Sequence, residues 1–322
     1  MKKQKKSLMS ILLVPLLLVV VLEGILPFGT LMASGAKATL ESNTVDIDSH
    51  LVQNRSVVLE NAMVDQWSAV RKENGYMNSA LSAFLLENDL DMETFLQSRE
   101  AQKQYTALVF PELLEYLRRD SSCGVFLVLA NDGDVQAAGD YTGFFLRDSD
   151  PATKTETNSE LLMERGSKEL ARQAGIALDT TWAPGFSFAG AGQREADDFY
   201  YTPYDLAVNN LDVDTASLGY WSMPFVLEDH ELDSHVMITY SMPLIYGGTV
   251  YGVVGTEVSV NYVSNNYFSV QDLDKNQNAG YALAISRGDG QYESIAGKGI
   301  LFDASSQENL FSLENTEYTD LL

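Results

Sequence analysis

The residues able to do chemistry in this 322-residue chain are few, and their spacing is unpromising for catalysis. Two of the three histidines stand in Glu228-Asp229-His230-Glu231-Leu232-Asp233-Ser234-His235. Imidazoles beside carboxylates suit a divalent metal. The spacing is not HExxH, however, and a solvated hairpin loop has the same composition, which is the reading we adopt. Asp272, Asp274, Asn276 and Asn278 alternate as in a calcium loop, but Gln277 stands where the turn glycine belongs and Leu283 where the bidentate glutamate belongs. Cys123 precedes the apolar run Gly124–Ala130 and reads as a packed small hydrophobe rather than a nucleophile. There is no Walker loop, no GxSxG elbow and no dinucleotide fingerprint. The sequence therefore predicts no catalytic residue, no metal ligand and no cofactor.

Binding is better represented. Trp182, Phe186, Phe199, Tyr200, Tyr201, Tyr204, Tyr220, Trp221 and Tyr240 fall within sixty residues. Aromatic walls with a few placed polar groups characterise small-ligand pockets, and tryptophan and tyrosine faces also hold cations. The competing reading is an aromatic core with a partly exposed rim. Glu257 interrupts the apolar run GVVGTEVSV, and strand alternation puts it on one face with Val253, Gly255 and Ser259. A carboxylate there belongs to an exposed edge or faces a cavity.

The elements that must position these residues follow from periodicity. Residues 38–120 read as a long helical stalk, with Leu59, Met63, Trp67 and Val70 on one stripe and a break near Pro111. Gly124–Ala130 and Tyr141–Arg147 read as strands, separated by the turn signal Asn131-Asp132-Gly133-Asp134. Asn158–Ala174 reads as a helix capped at Asn158 or Ser159 and stopped by Gly175. A glycine- and aromatic-rich loop carrying Trp182 follows, then a short helix over 199–210 begun near Thr202-Pro203. Gly219–Phe225 is a short aromatic strand. His235–Ile245 and Thr249–Val260 form a hairpin about Tyr246-Gly247-Gly248. A short helix over 261–268 and a second hairpin, Tyr281–Ser286 with Gln291–Ala296, complete the pattern. The expected fold is α+β. Two strands are too few to close a second sheet core, so that module reads as incomplete and the chain as a fragment.

The N-terminus supplies an address. Lys2, Lys3, Lys5 and Lys6 precede an apolar stretch, 7–33, long enough to reach the roughly 20 residues a membrane helix needs. The basic cluster puts residues 1–6 in the cytoplasm and the rest outside. A cleaved signal peptide is the alternative, with Ser34 and Ala36 near the cut. Beyond residue 36 there remain 17 basic and 44 acidic side chains, a net charge of −27. Such a surface repels nucleic acid. With one cysteine, no internal disulfide can form.

Four segments together resemble the double Cache family of bacterial extracytoplasmic sensors: YTGFFLRDSDP (141–151), LGYWSMPF (218–225), ITYSMPLI (238–245) and GTVYGVVGTEVSVNYV (248–263). The resemblance covers about residues 40–300. It implies a long N-terminal helix beside tandem PAS-like antiparallel sheet modules, a membrane-distal one over 121–268 and the start of a membrane-proximal one over 269–322. It also implies a small-molecule ligand in the distal module and a cytoplasmic output domain such as a diguanylate cyclase, histidine kinase or chemoreceptor domain, of which diguanylate cyclase is our first expectation. In amino-acid-binding members an arginine two residues before a tryptophan grips the ligand carboxylate, while a tyrosine and an aspartate hold its amino group. Trp221 matches the tryptophan, Tyr240 the tyrosine and Glu257 the aspartate. Gly219 replaces the arginine, and Ser222 stands where a second aromatic is usual, so the bidentate clamp is missing there. The expected ligand is an amino acid, an amine or a carboxylate. Arg147, Trp182, Tyr220, Trp221, Tyr240 and Glu257 are the expected contacts, with Arg147 as the anion partner or simply paired to Asp148 or Asp150. The helix stripe predicts a homodimer. A protein-interaction module and an exported hydrolase are the rival readings.

Overall fold

A computed structural model describes residues 36–119, 122–131, 138–151, 153, 157–227, 236–267, 280–288, 291–299 and 310–312. The apolar segment 7–33, the Glu228–His235 run and the Asp272–Asn278 alternation lie outside them, as does most of the turn after Asn131. Among the described residues no helix is long and apolar enough to cross a membrane. The chain divides into two units near residue 58. The first is described from residue 36, as helix alone; the second carries the sheets.

The fold is α+β. Helix α1 (Ala36–Glu87) is followed by α2 (Met92–Gln97) and α3 (Arg99–Arg119). The expected break near Pro111 does not occur, because Pro111 lies inside α3. The chain turns instead at Asn88–Asp91. Asn88 Nδ2 donates to the Phe84 carbonyl at 2.8 Å, Asp89 adopts φ 53°, and Asp91 caps α2 by accepting from Thr94 N–H. Short polar side chains compete with the helix for backbone groups, so this cluster was a stronger stop signal than the proline.

The sheet follows. Its elements are β1 (Gly124–Leu129), β2 (Gly139–Tyr141), β3 (Gly143–Asp148), β4 (Leu161–Arg165), α4 (Lys168–Ala174), β5 (Ala177–Ala183), β6 (Phe186–Phe188), α5 (Asp198–Asn209), β7 (Tyr220–Trp221), β8 (Met237–Tyr246) and β9 (Thr249–Ser259). The helix expected over 158–174 is half strand. Gly166, at φ 129°, ends β4, and Ser167 rather than Asn158 caps α4. Gly175 stops α4 in the left-handed conformation, as expected. The loop expected around Trp182 is in fact β5 and β6, which pair with β4 and β2. Helix α5 starts at Asp198, earlier than the Thr202-Pro203 signal. The β8–β9 hairpin turns through Gly247 and Gly248 at φ 58° and 80°, values that suit glycine.

Seven strands form one sheet in the order β5-β4-β3-β1-β9-β8-β7, antiparallel except for β4–β5. Alternation gives it two faces. On one, α1 and α3 bury Met77, Leu81, Phe84, Tyr105, Val109 and Leu113 against Val125, Leu127, Tyr240, Met242, Tyr251 and Val254. On the other, α5 buries Phe199, Tyr200 and Tyr204 against Phe126, Val128, Phe145, Met237 and Val253. Of the predicted α1 stripe, Val70 is buried and Leu59 and Met63 are half-buried. After β9 come α6 (Val260–Tyr267) and a second sheet of β10 (Gly280–Gly288), β11 (Gln291–Gly299) and β12 (Leu310–Ser312). Val263 of α6 is buried, with Leu283 and Ile295 packed on it. The third strand was not anticipated.

Polar bonds pin α1 to β8 and β9. Asn74 Nδ2 donates to the Pro243 carbonyl at 2.8 Å, Tyr251 OH donates to Asn78 Oδ1 at 3.0 Å, and Tyr246 OH donates to Ser82 Oγ at 3.1 Å. Asn74 is buried, so Asn74→Ala strands a carbonyl away from water. It should cost about 1–3 kcal/mol in denaturant unfolding. Ser79→Ala, at an exposed position on the same helix, should change stability by less than about 0.5 kcal/mol.

Candidate functional site

Directly opposed residues in an antiparallel pair present their side chains on the same face. Register therefore sorts the six expected contacts. Trp221 pairs with Tyr240, and their ring centroids lie 5.0 Å apart on the face covered by α1 and α3. Gly219 permits this close packing, because a Cβ there would press on the Tyr240 hydroxyl. Tyr220 pairs with Ser241, which pairs with Gly255, which pairs with Phe126 on the α5 face. Glu257 pairs with Thr239 and with Gly124, and Gly124 pairs with Arg147, all on that same α5 face. The sheet thus separates Trp221 and Tyr240 from Tyr220, Glu257 and Arg147. Trp182, on edge strand β5, packs against the helix-face core. Its Nε1 donates to the Gly166 carbonyl at 3.1 Å, and Lys168 Nζ sits 4.3 Å from its ring centroid.

The rest of the aromatic cluster is core. Phe188 stacks on Tyr200 at 5.0 Å, Phe199 stacks on Phe225 at 5.3 Å, and Tyr200 also meets Tyr141, Tyr201 and Tyr204. Burial holds the Tyr200 hydroxyl well above its ordinary pKa. These rings fill space between α5 and the sheet by packing on one another.

Glu257 is completely buried. Its carboxylate lies over Gly124, where any added Cβ would meet Oε2. Beside it, Thr239 and Ser241 are also fully buried, and Thr239 Oγ1 and Ser241 Oγ have no hydrogen-bond partner among the described residues. A carboxylate and two unused hydroxyls in one desolvated patch form a good receptor for a donor-rich cationic group. The two hydroxyls were missed in the sequence, although Thr239 and Ser241, two apart in an apolar strand, carry the signal of one polar face.

Arg147 is engaged otherwise than expected. Its Nη1 reaches Glu164 Oε1 and its Nη2 reaches Asp179 Oδ2, each at 2.9 Å. Both carboxylates come from strands β4 and β5, not from the adjacent Asp148 or Asp150. Cys123 is buried beside this row, and burial first, then Glu257, pushes its thiol up to about 12. That suits a packed group and not a nucleophile. Among the described residues no group of His, Cys, Asp and Glu could hold a metal ion.

Trp182 lines a cavity of about 750 Å³ between α3, the β2–β3 corner, α4 and the β5–β6 turn. Arg99, Lys103 and Lys168 line it too. None of the three was singled out in the sequence, because they come from two helices far apart in the chain.

No protein-family model matches the sequence, and no curated protein matches it. Among solved structures, the chain is similar to the ligand-binding domain of the Campylobacter jejuni chemoreceptor Tlp3 in complex with L-valine, at 13% identity and a TM-score of 0.39, over 72% of this chain and 66% of that one. It is also similar to the periplasmic sensory domain of the C. jejuni chemoreceptor Tlp1, at 11% identity and a TM-score of 0.41, over 78% of this chain and 72% of that one.

The Arg147 triad is open to test. Arg147→Met leaves two poorly exposed carboxylates without their shared cation and should cost about 3–5 kcal/mol in denaturant unfolding. Burial alone would raise the Asp179 carboxyl. The Thr181 N–H, the Thr181 hydroxyl and the Arg147 guanidinium outweigh it, so its pKa lies below the ordinary value. A depressed folded pKa stabilises the fold above the unfolded pKa of about 3.9, and that stabilisation is lost as pH falls through the folded value. Asp179→Asn should therefore lose less stability than wild type between about pH 5 and about pH 2.

Proposed function

We propose that this chain is the extracytoplasmic ligand-binding sensor region of a membrane-bound bacterial signalling protein, of the double Cache type that its sequence resembles. The observation that carries this reading is the buried Glu257 beside the unused hydroxyls of Thr239 and Ser241. The ligand class it favours is a small amine, including amino acids, whose ammonium takes the carboxylate and hydroxyl acceptors. Tyr220, in register with Ser241, is placed to flank it. The Arg147 guanidinium already spans two carboxylates, which disfavours it as the grip for a ligand carboxylate. Trp221 and Tyr240 then act behind the sheet, supporting β7 and β8 rather than touching ligand.

The coupling route is short. Thr239, Ser241 and Glu257 lie on β8 and β9, the same strands whose opposite face is bonded to Asn74, Asn78 and Ser82 of α1. A ligand that binds one arrangement of this hairpin more tightly than another shifts the bonded stretch of α1 with it, to the extent of its differential affinity. Anchoring through residues 7–33, a homodimer and a cytoplasmic diguanylate cyclase output belong to the same proposal.

The test is a thermal-shift screen of the full chain in detergent against amino acids, simple amines and carboxylates. Primary amines should raise Tm. Glu257→Gln, once shown to fold by its own melting transition, should lose that shift while Trp221→Ala keeps it. Amine stabilisation that survives in Glu257→Gln overturns the reading.

A further inference from the structure

We infer that the cavity beside Trp182 is a second ligand site, one that takes a small organic anion with an apolar body. Its residues are not those of the Glu257 row, and the inference stands without the amine reading. About 750 Å³ is within the size range of small-molecule pockets.

Charge decides what enters. Beyond residue 36 the chain has 17 basic against 44 acidic side chains, yet three cations, Arg99, Lys103 and Lys168, line this one cavity. None of the three makes an ion pair among the described residues. Arg99 donates one hydrogen bond, to the Asp140 carbonyl at 3.2 Å, and Lys168 lies over the Trp182 ring. Two acids share the lining. Glu169 is held by Arg172 at 2.5 Å and by Gln173 at 3.1 Å, and Asp140 is the other counter-charge. Three cations against Asp140 and an Arg172-held Glu169 leave the lining net positive, which in a protein this acidic favours anions over cations.

Shape and polarity decide the rest of the ligand. Trp182, Leu170 and Pro184 add apolar lining beside the cations, with Lys168 Nζ lying 4.3 Å from the Trp182 ring centroid. The Trp182 N–H is already spent on the Gly166 carbonyl, so the indole offers a surface rather than a donor. An anionic head with a short aromatic or branched aliphatic body matches both the cations and the apolar lining, whereas inorganic phosphate matches only the cations.

The experiment uses the full chain in detergent and titrates benzoate, isovalerate, benzylamine and inorganic phosphate by calorimetry and by tryptophan fluorescence. Benzoate or isovalerate should bind, and phosphate should bind about tenfold more weakly or not at all. Benzylamine should leave the Trp182 signal unmoved, which Trp182→Phe identifies. Lys103→Glu, at an exposed position, should weaken the organic anion by about tenfold or more, while Lys72→Glu, a matched exposed change on α1, should not. Failure of both organic anions to bind, equal binding of phosphate, or an unchanged affinity in Lys103→Glu overturns the inference. Loss of amine binding in Glu257→Gln with benzoate binding retained would show the two sites to be independent.

Discussion

The first sheet depends on β9 being held between β1 and β8. β8 pairs with it along its whole length and β1 along Gly252–Glu257, and it is buried almost throughout. Two glycines let the strands close on it. A Cβ at Gly252 would meet the Val128 carbonyl, and one at Gly255 would meet the Phe126 ring and the Tyr240 carbonyl. Because side chains alternate with period two, a slip of one residue would push Glu257 into the apolar core beneath α1 and α3. Moving the carboxylate from beside the Thr239 and Ser241 hydroxyls to the apolar side chains of Val125 and Tyr240 would strip it of polar neighbours, which makes that slip unfavourable. The polar row and the fold's register therefore specify each other.

The two faces of the sheet solve different problems. Under α1 and α3, tyrosine hydroxyls are spent on the protein itself: Tyr105 OH donates to the Met77 carbonyl at 2.8 Å and Tyr251 OH to Asn78. Burial raises both hydroxyls above their ordinary pKa, so they stay neutral donors and the helices are fixed to the strands by bonds as well as by packing. Under α5, stacked rings fill most of the space, and the polar residues gather in one transverse row at the Gly124 end. β8 and β9 contribute side chains to both faces.

Charge is likewise divided by element. Arg147 is a closed account: two carboxylates from neighbouring strands neutralise it at the edge of the row. Arg99, Lys103 and Lys168 line the Trp182 cavity with no ion pair among the described residues. The distinction matters because a poorly exposed cation between two acids stabilises by avoiding unpaired charge, whereas an exposed, unpaired cation contributes little to folding and remains available to a ligand.

Local patterning determined much of this protein. The long helix, the Gly247-Gly248 hairpin, α5, the Gly175 stop and the buried character of Cys123 were all legible, because each rests on residues adjacent in sequence or on one period. The exposed acidity of the chain was also legible. What failed locally was the stretch 158–188, where Leu161–Arg165 carries helix-forming side chains but is drawn into the sheet by pairing with β3. Which expected contacts share a face was decided only by tertiary structure. Trp221, Tyr240 and Glu257 look like neighbours in the motif, but the register of β7, β8 and β9 turns the first two away from the third. The partners of Arg147 and the convergence of Arg99, Lys103 and Lys168 were decided in the same way. The reason is physical: strand parity and long-range pairing are set by which strands meet, and no local spacing records that.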